Sequence, residues 1–180
     1  GIGDGRWTSA RKARIVNSRV ASTRLLSEAI AGLETPPKVL IASSAIGYYG
    51  DRGDEMLTED SSPGAGFLSD LCVDWEKAVA PVADRGVRVV NVRIGVVLAR
   101  NGGALGQMLP IYRLGLGGRL GSGRQFWSWI GFDDLIGGMM FALVNAALSG
   151  PVNLVSPNPV RNAEFSDTLA RAVHRPAIFP

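Results

Sequence analysis

Lys38-Val39-Leu40-Ile41-Ala42-Ser43-Ser44-Ala45-Ile46-Gly47-Tyr48-Tyr49-Gly50 is the stretch on which the fold turns. Its first five residues are mostly apolar and read as a buried strand. Two hydroxyl residues, Ser43 and Ser44, then stand at the strand's carboxyl end, and Tyr48 and Tyr49 follow in a loop bracketed by glycines. In open α/β sheets ligands bind outside the carboxyl ends of strands, so chemistry is expected here. A strand that merely stops in a polar turn with two packed tyrosines would read the same way at this point.

The flanking sequence supplies the context. Upstream, the pattern is helical from Trp7 to about Leu33, with Thr8 or Ser9 as the cap and Thr35-Pro36-Pro37 as the stop. Downstream, residues 50–66 are rich in Gly, Asp, Ser and Pro and read as a long loop. A second helix is expected from Phe67 to about Ala83, and Val87 to Leu98 reads as a buried parallel strand. After Asn101-Gly102-Gly103 come a short helix over 104–114, a glycine-rich stretch through Gly123, and an extended aromatic segment from Gln125 to Phe132. Asp133 or Asp134 is expected to cap a helix running to about Leu148. Val152 to Ser156 should form a short strand, and Asn162 should cap a last helix from Ala163 to about Val173. Alternating strands and helices imply βαβ units, right-handed crossovers and a parallel sheet.

Composition narrows the function classes. The 180 residues are 46% hydrophobic and 19% charged, enough for one sizeable core. No apolar run is long enough to span a bilayer, and nothing resembles a signal peptide. A single cysteine, Cys72, excludes an internal disulfide and points to a reducing, cytoplasmic setting. The net charge of +3 comes without a long Lys/Arg run, which argues against a nucleic-acid partner. With one histidine, His174, and no carboxylate cluster at ligand spacing, no metal site is expected.

A dinucleotide-binding domain normally opens with a strand and a G-x-G-x-x-G loop that leads into a helix. No such loop leads from a strand into a helix in this chain. Gly115-Leu116-Gly117-Gly118 is glycine-rich but has no strand before it. Either the chain is not a nucleotide domain, or the first half of such a domain is absent from this sequence.

Several segments together resemble a known family. Ser43-Ser44-Ala45 through Tyr49-Gly50, Thr58-Glu59, Trp75-Glu76, Arg93-Ile94-Gly95-Val96-Val97-Leu98, Gly121-Ser122-Gly123-Arg124-Gln125 and Asp133-Asp134 follow the order of the extended short-chain dehydrogenase/reductases. Arg6-Trp7-Thr8, Ser18-Arg19, Gly47-Tyr48-Tyr49-Gly50, Arg113 through Gly118 and Val155-Ser156-Pro157 narrow the resemblance to the atypical branch called epimerase family 39U. It implies an α/β fold: a Rossmann-type doubly wound parallel sheet with a small substrate lobe, incomplete because the N-terminal βαβ half is missing. Residues 1–100 would be the remainder of the NAD(P)-binding domain, and 101–180 would mix substrate-lobe and returning sheet segments. A further small segment would follow Pro180. The implied cofactor is NADP, with NAD as an alternative. The partner would be a small-molecule substrate, with homodimer formation left open.

The resemblance also implies residue roles. Members of the wider superfamily carry a Tyr-x-x-x-Lys pair on the helix after the serine strand, where tyrosine transfers a proton and lysine assists. Aligned through Trp75-Glu76, that helix places Leu68, or its neighbour Phe67, at the tyrosine position and Cys72 at the lysine position, so the pair is absent. Ser44 is the candidate substrate-facing hydroxyl, against the alternative that it is tied to a neighbouring group. Tyr48 or Tyr49 is the candidate replacement acid/base. Arg19, Ser43, Cys72, Gly95, Val96 and Val97 are the implied cofactor contacts. Met108, Arg124, Gln125 and Trp127, with Trp129 nearby, are the implied substrate contacts. The implied activity is hydride transfer at a carbon bearing a hydroxyl or carbonyl, either oxidoreductase or nucleotide-sugar epimerase-like. The rival is a non-catalytic NADP(H)-sensing regulator, which the missing pair favours.

Overall fold

The structure, a computed structural model, describes residues 5–99 and 102–177. It comprises two compact units. The first joins Gly1–Arg93 with Ala142–Val152, and the second joins Ile94–Phe141 with Asn153–Pro180. The first boundary between the units falls at Arg93–Ile94, and the first unit regains a later segment.

In the first unit, α1 (Ser9–Val16) starts at Thr8, whose Oγ1 accepts from the Arg11 amide. The expected single helix is interrupted by a π-helical stretch, Asn17–Ala21, before α2 (Ser22–Ala31). Two serines accompany the change. Ser18 Oγ donates to the Ile15 carbonyl, and Ser22 Oγ donates to that of Ser18. Such side-chain bonds compete with the helical ladder and help loosen it. Strand β1 (Val39–Ala45) follows, then a 3-10 turn, Ile46–Tyr49.

The helix expected over 67–83 is two helices, α3 (Phe67–Lys77) and α4 (Ala80–Ala83). Pro81 is the cause: it has no N–H to continue the ladder and sits instead in the first turn of α4, where none is needed. Strand β2 (Arg88–Ile94) lies centrally in a sheet of order β1-β2-β6, where β6 is Gly150–Leu154. The sheet is parallel and flanked by helices. Ala42, Val79, Val82 and Val87 form a buried core against Ile30, Leu40 and Val89. Ser27 on α2 is fully buried and accepts from the Val82 amide, tying α2 to α4.

The expected strand Val87–Leu98 is also divided. Gly95 separates β2 from β3 (Val96–Ala99), which belongs to the second unit and pairs in parallel with β5 (Trp129–Gly131). That unit also holds α5 (Gly103–Arg113) and β4 (Phe126–Trp127), which pairs antiparallel with β7 (Val160–Arg161). The extended aromatic segment is present but split at Ser128, whose carbonyl accepts from the Val96 amide.

Helix α6 (Phe132–Val144) begins before the paired aspartates, so Asp133 and Asp134 lie in its first turn, where they complement the helix dipole, rather than at its cap. It ends four residues before Leu148. Arg88 donates to the carbonyls of Ala142 and Leu143 in the last turn, and to that of Leu148 beyond it. Strand β6 correspondingly starts at Gly150, two residues before the expected Val152.

Asn162 does not cap the last helix, α7 (Asn162–Ala172); Arg161 holds that position, and its side chain makes no capping bond to the helix. Asn162 Oδ1 instead accepts from the Leu120 amide, and the Tyr112 hydroxyl bonds to Ser166 Oγ and the Gly118 carbonyl. These bonds fasten the glycine-rich stretch. At Gly117 a Cβ would come within 2.4 Å of the Tyr112 ring, so a glycine is needed there for space. Among the described residues no helix is long and apolar enough to cross a membrane.

Candidate active site

In the first unit, hydroxyl and charged side chains cluster at the carboxyl end of β1. The 3-10 turn closes this end and is backed by α3: a Cβ on Gly47 would lie 3.5 Å from Leu68 Cβ and 3.7 Å from Cys72 Sγ. Leu68 and Cys72 are four residues apart and so share a helix face. The Tyr48 carbonyl accepts from Ser69 Oγ at 2.6 Å and from the Gly64 amide at 3.0 Å. The Tyr48 and Tyr49 rings meet edge to face, centroids 5.3 Å apart.

Arg93, near the end of β2, is the hub, with a side chain only 3% exposed. Its Nε and Nη2 donate to the two carboxylate oxygens of Glu76, each at 2.9 Å. Its Nη1 donates to the Tyr49 hydroxyl at 3.0 Å and to the Glu59 carbonyl at 3.2 Å. The guanidinium also stacks over the Tyr48 ring, 3.5 Å from its centroid. Burial alone would lower the Arg93 pKa. The hydrogen bonds that Arg93 donates to Glu76 and Tyr49, with the charge of Glu76, outweigh burial and hold it above the ordinary arginine value.

Ser44 belongs to the same network. It is 3% exposed, and its Oγ donates to Glu76 Oε1 at 2.6 Å. Strand alternation turns the Ser44 side chain inward, where its hydroxyl is held by Glu76. Ser43, one residue earlier, faces outward and is exposed. Tyr49 is buried and committed to Arg93, while Tyr48 is half-buried.

Cys72 is 3% exposed. Burial pushes its thiol pKa up, as does the charge of Glu76; a backbone hydrogen bond at Ala45 partly offsets this. A buried neutral thiol cannot supply the positive charge of a lysine. The folded state favours the protonated thiol, so its contribution to stability is complete below the unfolded thiol's value, about 8.5. That contribution is lost as pH rises through the folded value. In the native protein at pH 8, Cys72 should react with a chromogenic disulfide reagent far more slowly than in urea; equal rates would contradict this burial.

Arg19 lies on the π-helical stretch. Its guanidinium sits 5.5 Å from the Trp75 ring centroid and donates to Ser18 Oγ. The Trp75 indole N–H is itself fixed on Thr23 Oγ1.

In the second unit, Val96 and Val97 pair with Trp129 and Ile130 in the β3–β5 ladder. Gly95 has a local reason to be glycine: a Cβ there would lie 2.7 Å from the Ser128 carbonyl oxygen. Gln125 is used within the lobe, its side chain donating to the Leu120 carbonyl. Trp127 stacks on Phe165 at 4.6 Å. Met108 is half-buried on α5, and Arg124 is exposed, its carbonyl accepting from Arg161. A cavity of about 360 Å³ is lined by Trp129, Asp134, Asn153 and Ser156 among others.

Sequence reasoning did not single out Glu76 and Arg93 as the centre of this hydrogen-bonded cluster. The available signal was Arg93 itself, a charge between Val92 and Ile94 in a valine-rich strand, which demands a buried partner.

An epimerase family protein of Mycobacterium bovis is 48% identical over 175 residues, covering 97% of this chain and 58% of the relative. The crystal structure of human epimerase family protein SDR39U1 (isoform 2) with NADPH superposes with a TM-score of 0.92 at 40% identity, covering 98% of this chain and 60% of that one. The crystal structure of the nucleoside-diphosphate sugar epimerase from Corynebacterium glutamicum gives a TM-score of 0.85 at 43% identity, covering 93% of this chain and 36% of that one. No family model matches the chain. The chain spans 58% of the length of the first curated relatives. With such identity spread over nearly all of its residues, the chain belongs to the SDR39U1-like epimerase family.

Proposed function

We propose that the chain is part of an NADP(H)-dependent oxidoreductase or nucleotide-sugar epimerase-like enzyme acting at a carbon that bears a hydroxyl or carbonyl. One observation carries the reading. The hydroxyl cluster at the carboxyl end of β1 occurs in a chain that superposes on a human relative solved with NADPH, at a TM-score of 0.92.

The residues fit such a cofactor in part. Ser43 offers an exposed hydroxyl beside the strand end, and Arg19 offers a cation from the π-helical stretch. Gly95, Val96 and Val97 remain candidate backbone contacts. Cys72 does not fit, being buried and neutral. When bound, the nicotinamide would donate or accept a hydride. Ser43 would orient the reacting oxygen, while Ser44 acts through Glu76. Tyr48, half-buried, is the better candidate to move a proton, since Tyr49 is held by Arg93. Arg124, exposed in the second unit, would meet an anionic substrate group; Met108, Gln125 and Trp127 would shape its surroundings.

No Tyr-x-x-x-Lys spacing occurs anywhere in the 180 residues, and Leu68 and Cys72 back the turn at Gly47 instead. This supports the second reading, a non-catalytic NADP(H)-sensing regulator.

Titration of NADPH and NADH into the whole protein tests both readings. NADPH should bind with a Kd in or below the micromolar range, about −8 kcal/mol or better. Binding of neither nucleotide overturns both. Tyr48→Phe then separates them: an enzyme loses turnover while keeping cofactor affinity, and a regulator keeps its output.

A further inference from the structure

The bond pattern of Arg93 is one-sided. Four donated hydrogen bonds go to Glu76, Tyr49 and Glu59, and the guanidinium face covers Tyr48. Every partner belongs to the segments that meet at the end of β1. Glu76 completes the arrangement by accepting from Ser44 with the same oxygen that meets Arg93 Nε. A buried ion pair is a poor way to gain stability, since an apolar pair of similar volume often does as well or better. Such a pair is more effective at fixing geometry. A guanidinium fork bound to both carboxylate oxygens sets the orientation of both groups, which a lysine cannot do.

We propose that Arg93 and Glu76 are positioning residues. As a clamp they hold the Tyr48 ring, the Tyr49 hydroxyl and Ser44 in one arrangement. They thereby fix the end of β1, where Ser43 would meet the nicotinamide and substrate. The clamp takes over the ordering that a Tyr-x-x-x-Lys pair would provide from α3. This inference rests on the NADP(H) reading above.

The test uses the whole protein with NADPH as the probe, read by affinity and by the fluorescence emission of the reduced nicotinamide. Glu76→Gln keeps the shape and removes the charge; Arg93→Lys keeps the charge and removes the fork. Each should weaken NADPH binding about tenfold and shift the emission, while cooperative thermal unfolding is retained. Val90→Ala, in the fully buried core of the same strand, controls for lost stability. It should lower the melting temperature and leave affinity and emission unchanged. Should both clamp variants fail to fold, Tyr49→Phe, which deletes one oxygen, carries the same test with a smaller effect in the same direction. Folded variants with wild-type affinity and emission overturn the clamp and leave the cofactor reading standing. A wild-type protein that binds no NADPH overturns the cofactor reading and the clamp with it.

Discussion

Arg93→Met should destabilise the protein by about 3–5 kcal/mol, the usual cost of removing one partner from a buried ion pair. The loss is large because of what remains. Glu76, with a side chain 13% exposed, would lose both of the bonds that Arg93 donates to its carboxylate. The Tyr49 hydroxyl and the Glu59 carbonyl would lose a donor together. Each buried bond lost in this way costs about 1–3 kcal/mol when water cannot replace it. Urea unfolding should show the midpoint falling with little change in slope. Replacing Glu76 by leucine in the same protein should restore much of the loss, because no unpaired charge is then left inside. If Arg93→Met alone leaves the midpoint where it was, water already reaches Glu76 and the site is not closed.

Gly64→Ala should cost at least about 3 kcal/mol, at the upper end of overpacking effects. A Cβ at Gly64 would stand 2.1 Å from the Tyr49 carbonyl oxygen and 2.8 Å from the Gly50 nitrogen. Both are backbone atoms, so no rotamer change relieves the clash. The 51–63 loop would have to move off the turn, breaking the bond from the Gly64 amide to the Tyr48 carbonyl. Gly53→Ala is the natural control. Gly53 has φ +60, and a Cβ added there would meet nothing within 4 Å, so only the left-handed backbone penalty of about 1–2 kcal/mol applies. Thermal unfolding of the two variants should therefore differ clearly; similar melting temperatures would mean that the loop does not pack against the turn as described.

Much of the fold is legible in the sequence because its signals are local. The run Val39–Ala42, the helix from Phe67 and the valine-rich segment after Val87 each carry their own periodicity or β-branched content. The differences lie at boundaries, where the deciding partner is distant in sequence. Asn162 has the chemistry of a helix cap, yet its side chain serves Leu120, 42 residues away. The helical pattern of α6 runs on to Leu148 because nothing near Val144 announces Arg88. The Val87–Leu98 strand hides its break, since Gly95 reveals its purpose only beside Ser128.

The candidate site divides in the same way. Ser43, Ser44, Tyr48 and Tyr49 stand out in the sequence because a strand end followed by hydroxyls is a contiguous pattern. The ordered set of short motifs likewise suffices to place the chain in its epimerase family. What each hydroxyl does is not readable there, because period-two alternation leaves the direction of a strand's faces undetermined until the sheet and helices are packed. Packing turns Ser44 onto Glu76 and leaves Ser43 outside. It also joins Glu76 of α3 to Arg93 of β2, 17 residues apart, through a pair whose cost and purpose exist only once water is excluded. Local patterning was enough for the α/β elements, the family and the strand end where the hydroxyls cluster. Which side chains meet there was settled only by packing, because burial and hydrogen-bond pairing are properties of the assembled chain.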